Sequence, residues 1–162
     1  MKVSVAADHA GFVLKALVIE AVRAAGHEAF DLGTDTTDAV DYPDFARLLG
    51  EHLTSGQSER GVLLCGSGVG ISIAANKIPG IRAAICHDSY SAHQGVEHDA
   101  MNVLVLGTRV IGSALASELV TTFVAAQFSS EVRHQRRYQK VLQLEREFAD
   151  RYARRELDRS EP

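Results

Sequence analysis

Cysteine is scarce in this chain, which has only two among its 162 residues, Cys65 and Cys86. Two cysteines cannot provide the disulfide framework that stabilises many small secreted proteins. Each of them instead ends an apolar run of the kind that forms a buried strand. The sequence therefore favours reduced thiols and a cytoplasmic location.

Long apolar runs are also missing from the sequence. No run approaches the roughly 18 residues that a transmembrane helix requires. No apolar segment follows Met1 as it would in a secretory signal peptide. We therefore expect neither a membrane span nor a signal peptide, and no membrane partner.

Basic charge is not in excess either. The 17 Lys and Arg residues are outnumbered by 21 Asp and Glu residues, which gives a net charge of −4. A general nucleic-acid surface needs a basic face, so no nucleic-acid partner is expected. The 7 histidines show neither an H-x-H nor an HExxH spacing, and a metal site is therefore not expected.

What the chain does contain is an alternation of strand-like and helix-like segments. Short apolar runs predict strands at residues 2–7, 27–32, 61–65, 81–86 and 102–107. Helical spacing predicts helices at residues 12–26, 43–53, 71–79, 89–98, 111–127 and 131–155. This alternation is typical of a doubly wound, mostly parallel α/β sheet, in which ligands bind beyond the carboxyl ends of the strands.

The length of the chain corresponds to about one domain, and no linker or repeat interrupts it. We expect a single domain at residues 1–150, followed by a charged tail at residues 151–162 that frays. The last predicted helix has a character of its own, because it begins with a cluster of basic residues. Within that cluster Arg133 and Arg137 share one helix face at i, i+4 spacing.

The most informative stretch reads GVLLCGSGVGI, at residues 61–71. An apolar strand ends at Cys65, and a helix begins shortly afterwards. Between them lies a turn formed by Gly66, Ser67, Gly68, Val69 and Gly70. A strand, a glycine turn and a helix N-terminus in succession present backbone N–H groups suited to an anion. A tight structural connection is the alternative interpretation of such a turn.

Three known motifs are excluded at this turn. Ile71 stands where the dinucleotide fingerprint requires its third glycine, and no glycine precedes Lys77 as in a Walker motif. Cys65 stands where a nucleophile elbow requires glycine. An anion site for a phosphate or an oxyanion remains.

The Cys65 thiol has two interpretations. It is either a small buried hydrophobe that closes a strand, or a thiolate base or nucleophile. The second interpretation gains support from the helix N-terminus that follows, whose partial positive charge is expected to lower the pKa of the thiol. Cys86 also ends a strand, but no glycine turn follows it, so we expect it in the core.

Other polar residues contribute to a chemical hypothesis. Asp8 either caps the following helix or joins His9 in the crevice, and His9 is expected to contact a ligand. By themselves, His98 is typical of a helix end, and Arg133 and Arg137 are typical of a solvated helix face. Taken together, a thiol, an anion cradle, histidines and paired arginines indicate a small phosphorylated substrate. They fit removal of a proton next to a carbonyl.

Several stretches together resemble the family of ribose-5-phosphate isomerase B and galactose-6-phosphate isomerase. They are AADHAGFVLK (6–15), DYPDFA (41–46), LLCGSGVGISIAANKIPGIRAA (63–84), EHDAMNVLVLGTRVIG (97–112) and RHQRR (133–137). The resemblance implies a Rossmann-like three-layer αβα sandwich with a five-stranded parallel sheet and an extended C-terminal helix. It also implies interconversion of D-ribose 5-phosphate and D-ribulose 5-phosphate in pentose phosphate metabolism, without a metal or organic cofactor.

The same resemblance implies catalytic roles. Cys65 matches the base that moves a proton between C1 and C2, with Ser67 beside it. His98 matches the acid that assists opening of the furanose ring. The turn at residues 66–70 matches the anion hole for the enediolate oxygens. Some family members carry a glutamate base at the position of Ile71, so the resemblance implies the cysteine-base subgroup.

Substrate contacts and assembly are implied in the same way. The matching positions outside the turn are Asp8, His9, Tyr42, Asp99, Arg109, Arg133 and Arg137. The first three would contact or line the sugar, Arg109 lies at another binding position, and the last two arginines would bind the phosphate. Family members are dimers or tetramers, and each of their sites is built from two subunits. A homodimer or homotetramer with shared active sites is therefore expected here.

Asp99 departs from the family pattern, which usually has Asn after the acid histidine. An ionised carboxylate beside an enediolate would be repelled unless it is protonated or turned towards a hydroxyl. The length of the sugar therefore stays open, with a tetrulose 4-phosphate or a hexose 6-phosphate as alternatives. A non-catalytic sugar-phosphate or nucleotide-binding module and a redox thiol protein are further alternatives, the latter weakened because Cys65 lacks a C-x-x-C partner.

Overall fold

The computed structural model describes residues 1–160, and the chain divides into two compact units, Met1–Phe128 and a second that begins at Ser129. The strands of the described residues are β1 (Lys2–Ala7), β2 (Glu28–Asp31), β3 (Arg60–Cys65), β4 (Ala83–Ile85) and β5 (Val103–Gly107). Their helices are α1 (Phe12–Ala24), α2 (Tyr42–Thr54), α3 (Val69–Ala75), α4 (Ser89–Asp99), α5 (Ser113–Ala125) and α6 (Val132–Ser160). None of these helices is both long enough and apolar enough to span a membrane.

All strands of the sheet run parallel, in the order β2-β1-β3-β5-β4. β1 pairs with β2 on one side and with β3 on the other. The direction of the connections therefore reverses between β1 and β3, and at such a reversal a doubly wound sheet opens a crevice beyond its carboxyl ends. Ala7 ends β1 and Cys65 ends β3, so the residues that follow these two strands meet at this crevice.

The strands are apolar on both faces, because helices cover both faces of the sheet. On one face, α1, α4 and α5 pack on Val3, Val5, Val62, Leu64, Leu104 and Leu106. On the other face, α2 and α3 pack on Ala6, Leu63, Val103 and Val105. The predicted three-layer αβα sandwich with a five-stranded parallel sheet is thus confirmed.

The end of α3 and the start of β4 differ from the sequence prediction, and Asn76 accounts for both. α3 ends at Ala75, before the predicted end, and β4 begins only at Ala83. The Asn76 side chain accepts a hydrogen bond from Ala83 N at 2.9 Å and donates one to Ala83 O at 2.8 Å, which turns the chain after α3. Just before β4, Arg82 N donates to Asn102 Oδ1 at 2.7 Å, so this N–H bonds to a side chain rather than to the backbone of a neighbouring strand.

The second unit carries the extended C-terminal helix α6. Gln135 Nε2 donates to Ser129 O at 2.7 Å and fastens the start of this helix to the residues before it. The helix continues through Ser160 and therefore overlaps the tail predicted at residues 151–162. Residues 161 and 162 of that tail lie outside the described residues.

The β1–α1 turn lies directly against β3 at Gly11. A Cβ atom on Gly11 would lie only 2.2 Å from Leu64 O, so no side chain fits at this position. Asp8 N donates to the same Leu64 O at 3.1 Å. Glycine therefore allows the turn after β1 to rest on the strand that ends in Cys65.

Replacement of Gly11 by Ala should test this contact. We expect Gly11→Ala to lower the free energy of unfolding by about 2 kcal/mol or more, because the new methyl group overlaps the β3 backbone. Gly112→Ala is the matched control, because Gly112 also precedes a helix with a negative φ but has nothing within 4 Å of the added Cβ. Gly112→Ala should lower the free energy of unfolding by less than about 1 kcal/mol. Urea unfolding at equal protein concentration measures both, and equal losses would contradict the close contact.

Candidate active site

Cys65 ends β3 at the carboxyl edge of the sheet, and its side chain is half-buried. Burial raises the pKa of the Cys65 thiol, and the hydrogen bond and negative charge of Asp8 raise it further. The backbone N–H groups of Gly68 and Gly66 lower the pKa, but they do not reverse the net shift. The sequence predicted that the helix N-terminus lowers the pKa of the thiol. That prediction is wrong for the net shift, because burial and Asp8 outweigh the N–H groups.

The glycine turn approaches the thiol through its backbone. Gly68 has a φ of 84°, in the left-handed region, and a Cβ there would lie 3.1 Å from Val105 Cγ1. Both features require glycine at the point where the turn enters α3. Ser67 is exposed, and its Oγ accepts a hydrogen bond from Val69 N at 3.3 Å. The turn thus places backbone N–H groups next to the thiol, while the side chain of Ser67 is exposed to solvent.

Asp8 serves both the turn and the thiol. It is 3% exposed, and its Oδ1 accepts a hydrogen bond from Gly11 N at 2.8 Å. The same carboxylate interacts with the thiol of Cys65. Of the two interpretations of Asp8, a residue of the crevice describes its position. Asp8 does not cap α1, because Gly11 precedes that helix and no side chain makes a cap hydrogen bond there; its carboxylate closes the turn before the helix instead.

His9 follows Asp8 and is half-buried in the same turn. Its Nδ1 accepts a hydrogen bond from Val40 N at 3.2 Å. Val40 lies in the polar loop before α2, which the sequence pattern did not single out. Because the contact is made by a backbone N–H, the identity of the side chain at position 40 gives no signal for it.

Tyr42 and Arg109 flank the glycine turn. The ring of Tyr42 lies over Gly70, since a Cβ on that glycine would lie 2.9 Å from Tyr42 Cζ. Arg109 Nε would lie 3.4 Å from a Cβ on Gly66, and Arg109 N donates to Gly66 O at 2.9 Å. The structure therefore brings both predicted binding residues to the turn.

The turn after β5 completes this edge of the sheet. Thr108 Oγ1 donates to Ala10 O at 2.7 Å, and Thr108 N donates to Cys65 O at 2.9 Å. Gly107 N donates to His87 Nε2 at 3.0 Å, which joins the end of β4 to the end of β5. The sequence places residues 107–109, and so Thr108, beyond the carboxyl end of a predicted strand, but it gives no signal for the two contacts that Thr108 makes.

His98 and Asp99 lie at the opposite edge of the sheet. They are the last residues of α4, which starts beyond the carboxyl end of β4 and leads back to the start of β5. The start of β5 at Val103 is paired with Gly61, whereas the end of β5 is paired with Cys65. The length of β5 is about 13 Å at about 3.3 Å per residue, so a single chain does not bring His98 and Asp99 to Cys65.

His98 has contacts of its own within α4. Its Nδ1 lies 2.9 Å from Gln94 Nε2, and its Nε2 lies 3.6 Å from Glu97 Oε2. In the second unit, Arg133 and Arg137 are both exposed on α6, and Arg133 Nε lies 2.8 Å from Glu131 Oε2. The guanidinium groups of Arg133 and Arg137 therefore lie on the surface of the second unit.

In the described part of the chain, no three His, Cys, Asp or Glu side chains converge on a common point that could hold a metal ion. Around Cys65 the chain instead offers one thiol, one carboxylate and two backbone N–H groups, and the His9 imidazole follows Asp8 in the adjacent turn. Such a set can hold and move a proton next to an oxygen that is gaining negative charge.

A family model and two similar enzymes of known name all describe sugar isomerases. Residues 3–141 match the family described as Ribose/Galactose Isomerase. Ribose-5-phosphate isomerase B of Escherichia coli is 40% identical over 144 residues, which cover 89% of this chain and 96% of that protein. D-erythrulose-4-phosphate isomerase of Pectobacterium atrosepticum is 39% identical over 129 residues, 79% of this chain and 85% of that protein.

Solved structures agree with the fold. Ribose-5-phosphate isomerase B of Clostridium thermocellum has a TM-score of 0.87 and 43% identity to this chain, and the match covers 91% of this chain and 99% of that one. The family model over residues 3–141 and the long, similar relatives show that this chain is a member of the Ribose/Galactose Isomerase family of sugar-phosphate isomerases.

Proposed function

We propose that this enzyme interconverts D-ribose 5-phosphate and D-ribulose 5-phosphate, with Cys65 as the base. The observation that carries the proposal is the environment of the Cys65 thiol at the end of β3, where it interacts with the Asp8 carboxylate and with the backbone N–H groups of Gly68 and Gly66. The names of the Escherichia coli and Clostridium thermocellum relatives support the choice of a five-carbon sugar.

The proposed chemistry is proton transfer through an enediolate. The Cys65 thiolate removes the C2 proton of the open-chain aldose, which gives the enediolate, and then returns a proton to C1. The hydroxyl proton of O2 moves to O1 in the same sequence, so that C2 becomes the carbonyl carbon of the ketose. The negative charge that develops on the sugar oxygens is stabilised by N–H groups of the turn at residues 66–70, with the Ser67 hydroxyl beside them. Asp8 and His9 hold the sugar hydroxyls, and Tyr42 covers the site over Gly70.

The free sugar phosphate is mostly a closed ring, so an acid is needed to open it. We assign this role to His98, with Asp99 turned towards a sugar hydroxyl because its charge would oppose the enediolate. Both residues lie at the far edge of the sheet from Cys65 in their own chain. They therefore serve the site of a second copy, in a homodimer or a homotetramer with shared active sites.

Arg109, Arg133 and Arg137 are the proposed ligands of the sugar phosphate. Guanidinium groups bind phosphate through paired hydrogen bonds, and two of these arginines lie one helical turn apart on α6. The chemistry requires no cofactor. Both cysteines are free thiols, which agrees with the proposed cytoplasmic location in pentose phosphate metabolism.

A tetrulose 4-phosphate is the alternative substrate with a specific observation behind it. A relative that is 39% identical carries the name D-erythrulose-4-phosphate isomerase. Asp99, at the position where the family usually has Asn, is a further reason to test sugar length. The deciding measurement is kcat/KM for four-, five- and six-carbon aldose phosphates, and a clear preference for a tetrose or hexose phosphate would contradict the pentose assignment.

Replacement of Cys65 tests the proposed base. Cys65→Ala should lower kcat by at least about 100-fold without loss of the fold, because no group remains to move the proton. Cys86→Ala is the control, since Cys86 is buried against Met101 on one face of the sheet, and it should keep its activity within about threefold. Circular dichroism verifies folding of both variants. Near-normal turnover in Cys65→Ala would refute the mechanism.

The electrostatic influence of Asp8 on the thiol can be measured by alkylation, which only the thiolate undergoes. In a Cys86→Ala background, the pH midpoint for reaction of Cys65 with iodoacetamide should lie above the ordinary value of a free thiol, because its pKa is raised. Asp8→Asn should lower the midpoint, because the amide keeps an oxygen for Gly11 N but removes the negative charge. Asp44→Asn, an exposed change on α2, should leave it in place. An unchanged or higher midpoint in Asp8→Asn would contradict the arrangement.

Mixing of two inactive variants tests whether the sites are shared. Cys65→Ala and His98→Ala should each be inactive alone. A mixed dimer places one intact Cys65 opposite one intact His98, so random mixing should restore about one quarter of the wild-type activity. Activity is assayed after the two chains are co-expressed or refolded together. If both residues act within one chain, the mixture will remain inactive.

A further inference from the structure

The residues that connect β2 to α2, numbers 32–41, form a segment without helix or strand that reaches the crevice at His9. We propose that this segment is a positioning element: the Val40 N–H holds His9 in the tautomer whose Nε2 carries the proton, and Lys15 anchors the other end. The inference rests on the proposed function for its effect on the substrate.

The tautomer follows from the direction of one hydrogen bond. A backbone N–H can only donate, so His9 Nδ1, at 3.2 Å from Val40 N, must be the acceptor. A neutral imidazole with an unprotonated Nδ1 carries its proton on Nε2. The ring therefore presents a donor, on the side away from Val40, to an oxygen of the sugar phosphate.

The start of the segment is fixed to β1. Leu32 N donates to Val5 O at 2.8 Å, and Thr34 N donates to Ala7 O at 3.1 Å. Gly33 lies so close to the strand that a Cβ there would be 2.4 Å from Ala7 N. The segment therefore leaves the sheet next to the end of β1, immediately before the turn that carries His9.

Lys15 holds this start from the side of α1. It is 4% exposed, and its Nζ lies 2.9 Å from Asp31 Oδ1, 2.9 Å from Asp35 Oδ1 and 3.3 Å from Gly33 O. Burial alone lowers the pKa of Lys15, but the hydrogen bonds and charges of Asp35 and Asp31 raise it above its ordinary value. The Lys15 ammonium group is thus charged. It binds Asp31 just before the segment, and Gly33 and Asp35 at the start of the segment.

The middle of the segment makes hydrogen bonds to its own neighbours. Thr36 Oγ1 donates to Asp38 Oδ2 at 2.9 Å and accepts from Asp38 N at 3.1 Å, which closes a small polar turn. The position of Val40 therefore depends on the anchored start and on the beginning of α2 at Tyr42. Loosening the Lys15 anchor should weaken the hold on His9.

Nuclear magnetic resonance gives a readout that does not depend on activity. Long-range proton–nitrogen correlation spectra of the full-length, ligand-free protein distinguish a protonated from an unprotonated ring nitrogen. The signals of His9 are assigned by their absence in His9→Asn. We expect a single His9 tautomer with the proton on Nε2. A His9 with the proton on Nδ1 would overturn the proposal, whether or not the protein acts on ribose 5-phosphate.

Two pairs of variants test the segment. Val40→Pro removes the N–H donor and should mix the tautomers and raise KM for ribose 5-phosphate roughly three- to tenfold, the loss of about one hydrogen bond, with little change in kcat. Val40→Ala keeps the N–H and should match the wild type in tautomer. Lys15→Met should act like Val40→Pro to a smaller extent. Arg23→Met removes an exposed ion pair with Glu20 elsewhere on α1 and should change neither readout.

The outcomes distinguish the positioning of His9 from the proposed isomerase function. Equal spectra for Val40→Pro and Val40→Ala would overturn the role of the Val40 N–H. If Val40→Pro does not fold, the wild-type spectrum and the comparison of Lys15→Met with Arg23→Met still test the proposal. A wild-type protein that shows the expected tautomer but no isomerase activity would contradict the proposed function and leave the positioning of His9 intact.

Discussion

The contact between the β1–α1 turn and the end of β3 is the constraint on which the site depends. Because Gly11 has no side chain, the turn rests on the Leu64 carbonyl and carries Asp8 next to Cys65. Thr108 joins the end of β5 to both turns through its hydroxyl and its N–H. These contacts therefore join the ends of β1, β3 and β5 next to the Cys65 thiol.

The thiol lies under two opposing electrostatic influences. Burial and Asp8 favour the protonated form, while the N–H groups of Gly66 and Gly68 favour the thiolate. A thiol with a raised pKa gives a stronger base once its proton is removed, and it reacts more slowly with oxidants and alkylating agents while it is protonated. This balance suits the proposed role of Cys65, which would accept a proton from carbon rather than form a covalent bond.

Much of the fold could be predicted from the sequence, because apolar strands and helical spacing are local signals. The glycine turn and Cys65 were predicted for the same reason, since a strand, a turn and a helix follow one another directly in the chain. The raised pKa of the thiol could not be predicted, because it depends on Asp8, which is distant in sequence. The early end of α3 depends on a bond between the Asn76 side chain and Ala83, and the contact of Val40 with His9 leaves no trace in side-chain identity.

The central claim is that sugar isomerisation takes place at the end of β3. The most direct test is a crystal structure of Cys65→Ala with ribose 5-phosphate, in which the sugar is bound but should not be converted. We predict C1 and C2 of the sugar over position 65, with their oxygens facing the N–H groups of residues 66–70 and the phosphate on Arg133 and Arg137 of a second copy. A sugar bound at another edge of the sheet, or a phosphate held by the glycine turn itself, would contradict this account.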